Sequence, residues 1–360
     1  VTSSSTATSV DRRRYIELDG LRGIAVLAVV LCHYGNELDR YFPGLPPAAV
    51  SGEPVGWLLR YGYFGVQLFF LLSGFVILLT ARKVATPRDF VVARVSRLYP
   101  TYWACLTVTA LVGWLSAQAV LQRLPLEVAL NYSMVQRLIR VEDVDAAYWS
   151  LSVELIFYGI IWSVFMARGA LRDKDVERLV LVWLTVALVV ASWYRVTDGS
   201  SITLVVLLLT ASQYAGFFSA GMLLLLSRER GRLHPLVAVC VLAQAVVSWL
   251  VVDAVEATVV VPLMAFFAYV IMQSRVGWLR VPGLVFIGAI SYPLYLLHQN
   301  LGYLLIEAAA PSLGRWPAML LGFAALAGVA WVAHRTVEGP WSHALRKRLS
   351  RQPDVRRARP

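Results

Sequence analysis

Charge is what this 360-residue chain has least of. Charged side chains make up 15% of it, against about 25% in ordinary soluble domains, which excludes a soluble globular fold. Lysine is nearly absent, with 3 against 30 arginines, a bias that points to GC-rich coding. Cysteine occurs three times, as Cys32, Cys105 and Cys240, each inside an apolar segment. That set offers neither an even disulfide framework nor metal-ligand spacing, so small buried thiols are expected and no metal. Long polar stretches are missing, which leaves no room for a separate soluble domain. A signal-peptide pattern is missing too, so the first apolar helix is expected to be retained. Apolar residues are what remains: 58% hydrophobic, with a mean hydropathy of +0.64. The expectation is an all-α polytopic bundle in the cell membrane. The net charge of +11 does not point to nucleic acid, because the basic residues lie in short loops between apolar runs.

Ten apolar stretches are candidate spans: 18–36, 57–80, 99–119, 148–167, 179–194, 201–226, 235–252, 258–273, 283–306 and 316–334. Each is close to the ~20 residues that cross about 30 Å of hydrocarbon. Alternate loops hold 25 of the 33 Lys and Arg residues, and the positive-inside rule then places both termini in the cytoplasm. Residues 1–14 read as a disordered polar N-terminus, 15–341 as the membrane domain, and 342–360 as a basic cytoplasmic tail that can meet anionic lipid. The longest outer loops are 37–56 and 120–147. The second carries Glu142, Asp143 and Asp145 and is a candidate cover or acceptor contact. No repeat is evident.

Ionisable groups inside a membrane are expensive, so each is a functional candidate. Arg22 and His33 are eleven residues apart, about three turns plus 20°, and therefore share one face of the first helix about 16 Å apart along its axis. His33, Glu154 on the fourth span and His298 on the ninth fall at similar depth in the outer half. Ser73, Ser291 and Tyr292 lie deeper, beside small residues that let helices approach. Arg88, Arg94, Arg97, Tyr99 and Pro100 mark the inner mouth, ahead of the third span. Arg94 and Arg97 share a face and suit a phosphate-bearing ligand, next to a helix N-terminus that attracts anions.

Taken in order, these pieces resemble the acyltransferase-3 family of integral membrane O-acyltransferases. The matching pieces are Arg22 with His33, the stretch Phe69-Phe70-Leu71-Leu72-Ser73-Gly74-Phe75, and Arg94-x-x-Arg97-Leu98-Tyr99-Pro100. They continue with Trp149-Ser150-Leu151-Ser152-Val153-Glu154, Ser291-Tyr292-Pro293-Leu294-Tyr295-Leu296-Leu297-His298 and Glu338-Gly339-Pro340. Each motif is weak alone, but the ordered set covers nearly the whole chain. The resemblance implies a ten-helix enzyme that moves an acyl group, often acetyl, from a cytoplasmic donor such as acyl-CoA to a hydroxyl. Acceptors of the family include surface glycans, glycolipids and macrolides.

On this reading His33 is the general base, Glu154 orients its imidazole, and Arg22 either guides the donor or holds Asp19 three residues away. Arg94, Arg97 and Tyr99 bind the nucleotide end of the acyl-CoA. Ser73, Ser291 and Tyr292 line its channel or face the oxyanion. Trp149 and Ser150 are further site candidates. His298 is either a second site residue or a buried hydrogen-bonding partner. Glu338 is expected to be structural, pairing with a cytoplasmic arginine. The rival reading is a proton-coupled transporter or flippase that uses the same buried groups as a relay.

Overall fold

A computed structural model describes residues 16–42, 44–45, 54–116, 118–273 and 276–350. The expected polar N-terminus 1–14 and the end of the basic tail, 351–360, lie outside the described residues. Within them every regular element is a helix. The chain opens with α1 (Ile16–Cys32), a π-helical turn (His33–Glu37), α2 (Leu38–Tyr41), α3 (Pro54–Tyr61), α4 (Phe64–Lys83) and α5 (Pro87–Leu115). A folded loop holding α6 (Pro125–Asn131) leads to α7 (Trp149–Arg168), α8 (Asp173–Val196), α9 (Ser201–Leu209) and α10 (Ala215–Arg230). Then come α11 (Leu236–Val251), α12 (Ala254–Met272), α13 (Pro282–Ala289), α14 (Ser291–Leu313), α15 (Arg315–Ala333), a second π-helical turn (His334–Glu338) and α16 (Gly339–Ser350).

This is a multi-pass membrane protein. Among the described residues, five helices are long and apolar enough to cross a bilayer: α4, Ala146–Arg168, α8, α12 and the continuous rod Arg315–Ser350. A sixth exists if α9 and α10, bent by 57° at their junction, form one span. The bend has a local cause, since Ala211 sits there in the left-handed region at φ 46°. The expectation of ten spans goes beyond this count, chiefly because several helices are short or broken. α1 has 17 residues before its geometry changes to π, and the ninth stretch divides at Ile290 into α13 and α14.

The third span departs most from expectation. It begins at Pro87, well before residue 99, because Thr86 is an N-cap whose hydroxyl accepts from the Asp89 N–H, with Pro87 at the first helical position. The helix then runs through Pro100 without ending. Arg94 and Arg97 are therefore inside α5, past its N-terminus, instead of ahead of a helix start. The loop before α7 also differs. It enters the bundle instead of covering it, with Asp145 and Tyr148 fully buried.

Close backbone approach fixes α1 in the centre, against α4, α13 and α14. A Cβ on Gly288 would meet the Asp19 carbonyl oxygen at 1.7 Å, so only glycine allows α13 to lie on α1 there. Gly74 of α4 and Gly221 of α10 face each other in the same way: a Cβ on either would meet main-chain oxygen of the other helix at 2.1 Å. Small-residue contacts of this kind replace the hydrophobic drive that is missing between helices in lipid.

Candidate active site

Two cavities flank α1. The inner one, about 880 Å³ with its open mouth, is lined by residues of α1, α4, α5, α7, α13 and α14 and by Glu338. Arg22, Arg94 and Arg97 reach it from α1 and α5. Arg94 is buried, donates to the Thr80 hydroxyl at 2.9 Å and lies over the Tyr158 ring, 6.0 Å from its centroid. Arg22 sits 3.6 Å from Asp19. Ser73, Ser150, Glu154, Ser291 and Tyr292 complete the polar wall. Three guanidinium groups thus line one cavity, and arginine forks match phosphate oxygens in pairs.

The outer cavity, about 550 Å³, is lined by His33 with Tyr63, Gln67, Trp149, Gln213, Tyr214 and Glu256. Val66 and Tyr295 line both cavities and form the partition between them. Among the described residues, no lysine or arginine lines the outer cavity.

His33 does not stand alone. Its Nδ1 lies 2.6 Å from Nε2 of His298, and the two rings stack with centroids 4.9 Å apart. His298 Nδ1 is 2.7 Å from the Tyr295 carbonyl oxygen. These contacts settle the proton positions for a neutral pair. A carbonyl only accepts, so His298 carries its proton on Nδ1 and offers a lone pair at Nε2. His33 must then donate from Nδ1, which leaves its Nε2 unprotonated. That chain of acceptors fixes the tautomer a general base needs.

The surroundings hold the pair in place. Tyr34, next to His33, donates to the His298 carbonyl oxygen at 3.0 Å. The π-helical turn begins at His33 and displaces the main-chain ladder. Buried Arg315 donates to the carbonyl oxygens of Tyr34 at 3.1 Å and Gly35 at 3.3 Å and pairs with Asp39 at 2.6 Å. On the other side, Asp145 accepts from the Ala147 N–H at 2.9 Å and the Asn300 N–H at 3.0 Å, tying the entering loop to α14 two residues past His298. Burial pushes the Asp145 carboxyl up to about 7 despite these two donors.

The candidates from sequence thus separate into groups. Arg22, Arg94, Arg97, Ser73, Ser150, Ser291 and Tyr292 meet at the inner cavity. His33 and Trp149 belong to the outer one, and fully buried His298 backs His33. Glu154 does not pair with His33. Its Oε1 accepts from Ser73 at 2.9 Å and from Tyr158 at 2.5 Å, and it lines the inner cavity. The reason is depth: α7 starts from a turn already buried, with Tyr148 donating to the Leu296 carbonyl, so Glu154 lies further along than a surface entry would put it. Tyr99 is not at the inner cavity either. Its hydroxyl donates to the Ser133 carbonyl at 2.9 Å, and it lines an apolar groove between α5 and α7. Glu338 binds His334 at 2.7 Å rather than an arginine, and it also lines the inner cavity.

Sequence reasoning missed Arg315, Gln67 and Glu256, gave Asp145 only as part of an outer loop, and quoted Tyr295 within a motif without a role. Tyr295 had a signal, standing one helical turn before His298. Gln67 and Glu256 had only their polarity inside apolar runs.

Comparison with known proteins gives a matching frame. An acyltransferase domain model matches residues 15–335. The chain is 29% identical over 317 residues to the putative membrane-bound transacylase BcsY of Komagataeibacter xylinus, covering 80% of this chain and 72% of that one. It is 30% identical over 129 residues to the exopolysaccharide production protein ExoZ of Rhizobium meliloti, 33% of this chain and 39% of that one. It is 28% identical over 155 residues to the acyltransferase MdmB of Streptomyces mycarofaciens, 40% and 38% respectively. The match to these last two thus spans under half of their lengths. No solved structure matches.

Proposed function

The chain belongs to the acyltransferase-3 family, and on that premise we propose that it transfers a short acyl group from acyl-CoA to a hydroxyl of a glycan, glycolipid or macrolide-type acceptor. One observation carries this reading: an arginine-lined cavity and a histidine-lined cavity meet at a shared wall of Val66 and Tyr295. A donor with a polyanionic head and a long arm fits the first. A neutral hydroxyl needing a base fits the second.

In the proposed reaction the acceptor O–H gives its proton to His33 Nε2 as its oxygen attacks the thioester carbonyl carbon. The tetrahedral centre collapses, the C–S bond breaks, and the leaving thiolate takes the proton from the His33 imidazolium. An O-ester and free CoA result. The His298 ring and the Tyr295 carbonyl hold His33 in the required tautomer and spread the positive charge that forms on it. Arg94 and Arg97 hold the phosphates, with Arg22 further in. Glu154, gripped by Ser73 and Tyr158, balances these cations instead of orienting the base. Ser150, Ser291 and Tyr292 are the hydroxyls available to the arm and to the oxyanion.

The membrane frame we infer is ten passes with both termini cytoplasmic, which puts the arginine cavity on the side where acyl-CoA is made. It rests on the asymmetric placement of Lys and Arg. The test is transfer of label from acetyl-labelled acetyl-CoA by protein in lipid nanodiscs to an extracted cell-envelope glycan fraction. Alkali-labile label that depends on His33 supports the reading. Transport of a solute with no consumption of donor overturns it.

A further inference from the structure

The outer cavity holds two polar groups that the reaction above does not use. Glu256 stands in the first turn of α12, with Asp253 capping its N–H at 2.7 Å. It is only 3% exposed, and its Oε1 has no hydrogen-bond partner. Gln67 of α4 is 4% exposed, and its Oε1 has none either. Both line the cavity that His33 lines. Buried acceptors are normally satisfied, and a buried carboxylate is normally paired with a cation. No ion pair among the described residues includes Glu256.

The rest of the lining is aromatic. Tyr63, Trp149, Tyr214 and Tyr295 border the cavity, with the Trp149 and Tyr214 rings 5.5 Å apart and tilted by 36°. Two buried acceptors stand out among these groups, a carboxyl oxygen and an amide oxygen, together with the faces of several rings. A neutral polyol could bond to the hydroxyl and amide groups of the wall but would bring no charge to answer the Glu256 carboxylate. A protonated amine answers all of it, since ammonium pairs with carboxylate, donates to carbonyl oxygen and is attracted to aromatic faces.

We propose that Glu256 and Gln67 form an ammonium subsite that selects acceptors carrying a protonated amine, such as an amino sugar, beside the hydroxyl offered to His33. This rests on the outer cavity being the acceptor site. Anchoring one end of the acceptor at Glu256 would leave the acceptor hydroxyl to find His33 by geometry instead of by affinity.

The test uses the full chain in nanodiscs and three probes: methyl glucosaminide, methyl N-acetylglucosaminide and methyl glucoside. Binding is measured by saturation-transfer NMR at pH 7. The glucosaminide should bind at least about tenfold tighter than either neutral ring, and Glu256→Gln should erase that preference. Acetyl-CoA binding to the same variant should be unchanged, which separates this subsite from the donor reading. If the donor fails to bind while the amine preference stands, the donor assignment falls and the subsite does not. Should Glu256→Gln fail to fold, titrating wild-type protein above the amine's own pKa must remove the preference instead. Equal binding of the three rings, no binding of any, or a preference that survives loss of the carboxylate or of the amine's charge overturns the proposal.

Discussion

The inner and outer cavities share two wall residues and little else. Arg22, Arg94 and Arg97 give the inner one its cations. His33, Glu256, two glutamines and aromatic rings furnish the outer one, without a lysine or arginine among the described residues. Glu154 and Glu338 also line the inner cavity, so its arginines are partly balanced from within. Keeping the two sets apart, with Val66 and Tyr295 between, leaves each set available to a ligand of opposite character. The contrast teaches that the two cavities differ first in charge, and that the helices lining them are brought together by glycine contacts.

The contrast breaks most sharply at His33. His33→Ala should lower transfer by about 10²–10⁴-fold while acetyl-CoA binding stays as in wild type, the range for removing a positioned base. Equal loss of donor binding would merge the two cavities into one function. Next comes Arg97→Ala, expected to weaken acetyl-CoA binding by about 10- to 100-fold, as loss of a charge-assisted hydrogen bond worth ~1.5–3 kcal/mol implies. Calorimetry checks it, and an unchanged affinity would move the phosphates elsewhere.

A smaller effect concerns the scaffold. Asp145→Ala removes the side-chain acceptor of the Ala147 and Asn300 N–H groups and should cost about 1–3 kcal/mol. Its pH signature has a definite sign. The folded-state carboxyl is raised from an ordinary 3.8 to about 7. The folded protein therefore binds more protons than the unfolded chain between those values, and this group's contribution to stability falls as pH rises from about 4 to 7. Melting curves of wild type should lose stability over that window, and the Ala variant should lose less. The smallest effect should come from Tyr99→Phe, which removes one hydroxyl bond outside both cavities. Donor affinity measured by the same calorimetry should stay within about twofold, the scale of a surface change.

The sequence made the ordered motifs legible, because ionisable groups stand out in apolar runs. Arg94 and Arg97 share one helix, and their spacing along it is a local property; Arg22, on another helix, reaches the same cavity only through packing. The helical class was equally plain from periodicity and length. What stayed hidden was anything set by where a helix begins or bends. Glu154 was assigned to His33 from a depth that assumed entry at the membrane surface, whereas Tyr148 is already inside. The π turn at His33, the break at Ile290 and the bend at Ala211 have no period to reveal them. The His33–His298 contact spans 265 residues, a pairing that depth alone suggested but that only packing of α1 on α14 creates.

The most direct test of the account is acetyl-CoA binding at equilibrium, compared among wild type, His33→Ala and Arg97→Ala in the same nanodiscs. Saturable binding by wild type and His33→Ala alike, with at least about a tenfold loss in Arg97→Ala, is the expected result. Loss of binding in both variants, or none in well-folded wild type, would contradict the separation of the two cavities on which the account depends.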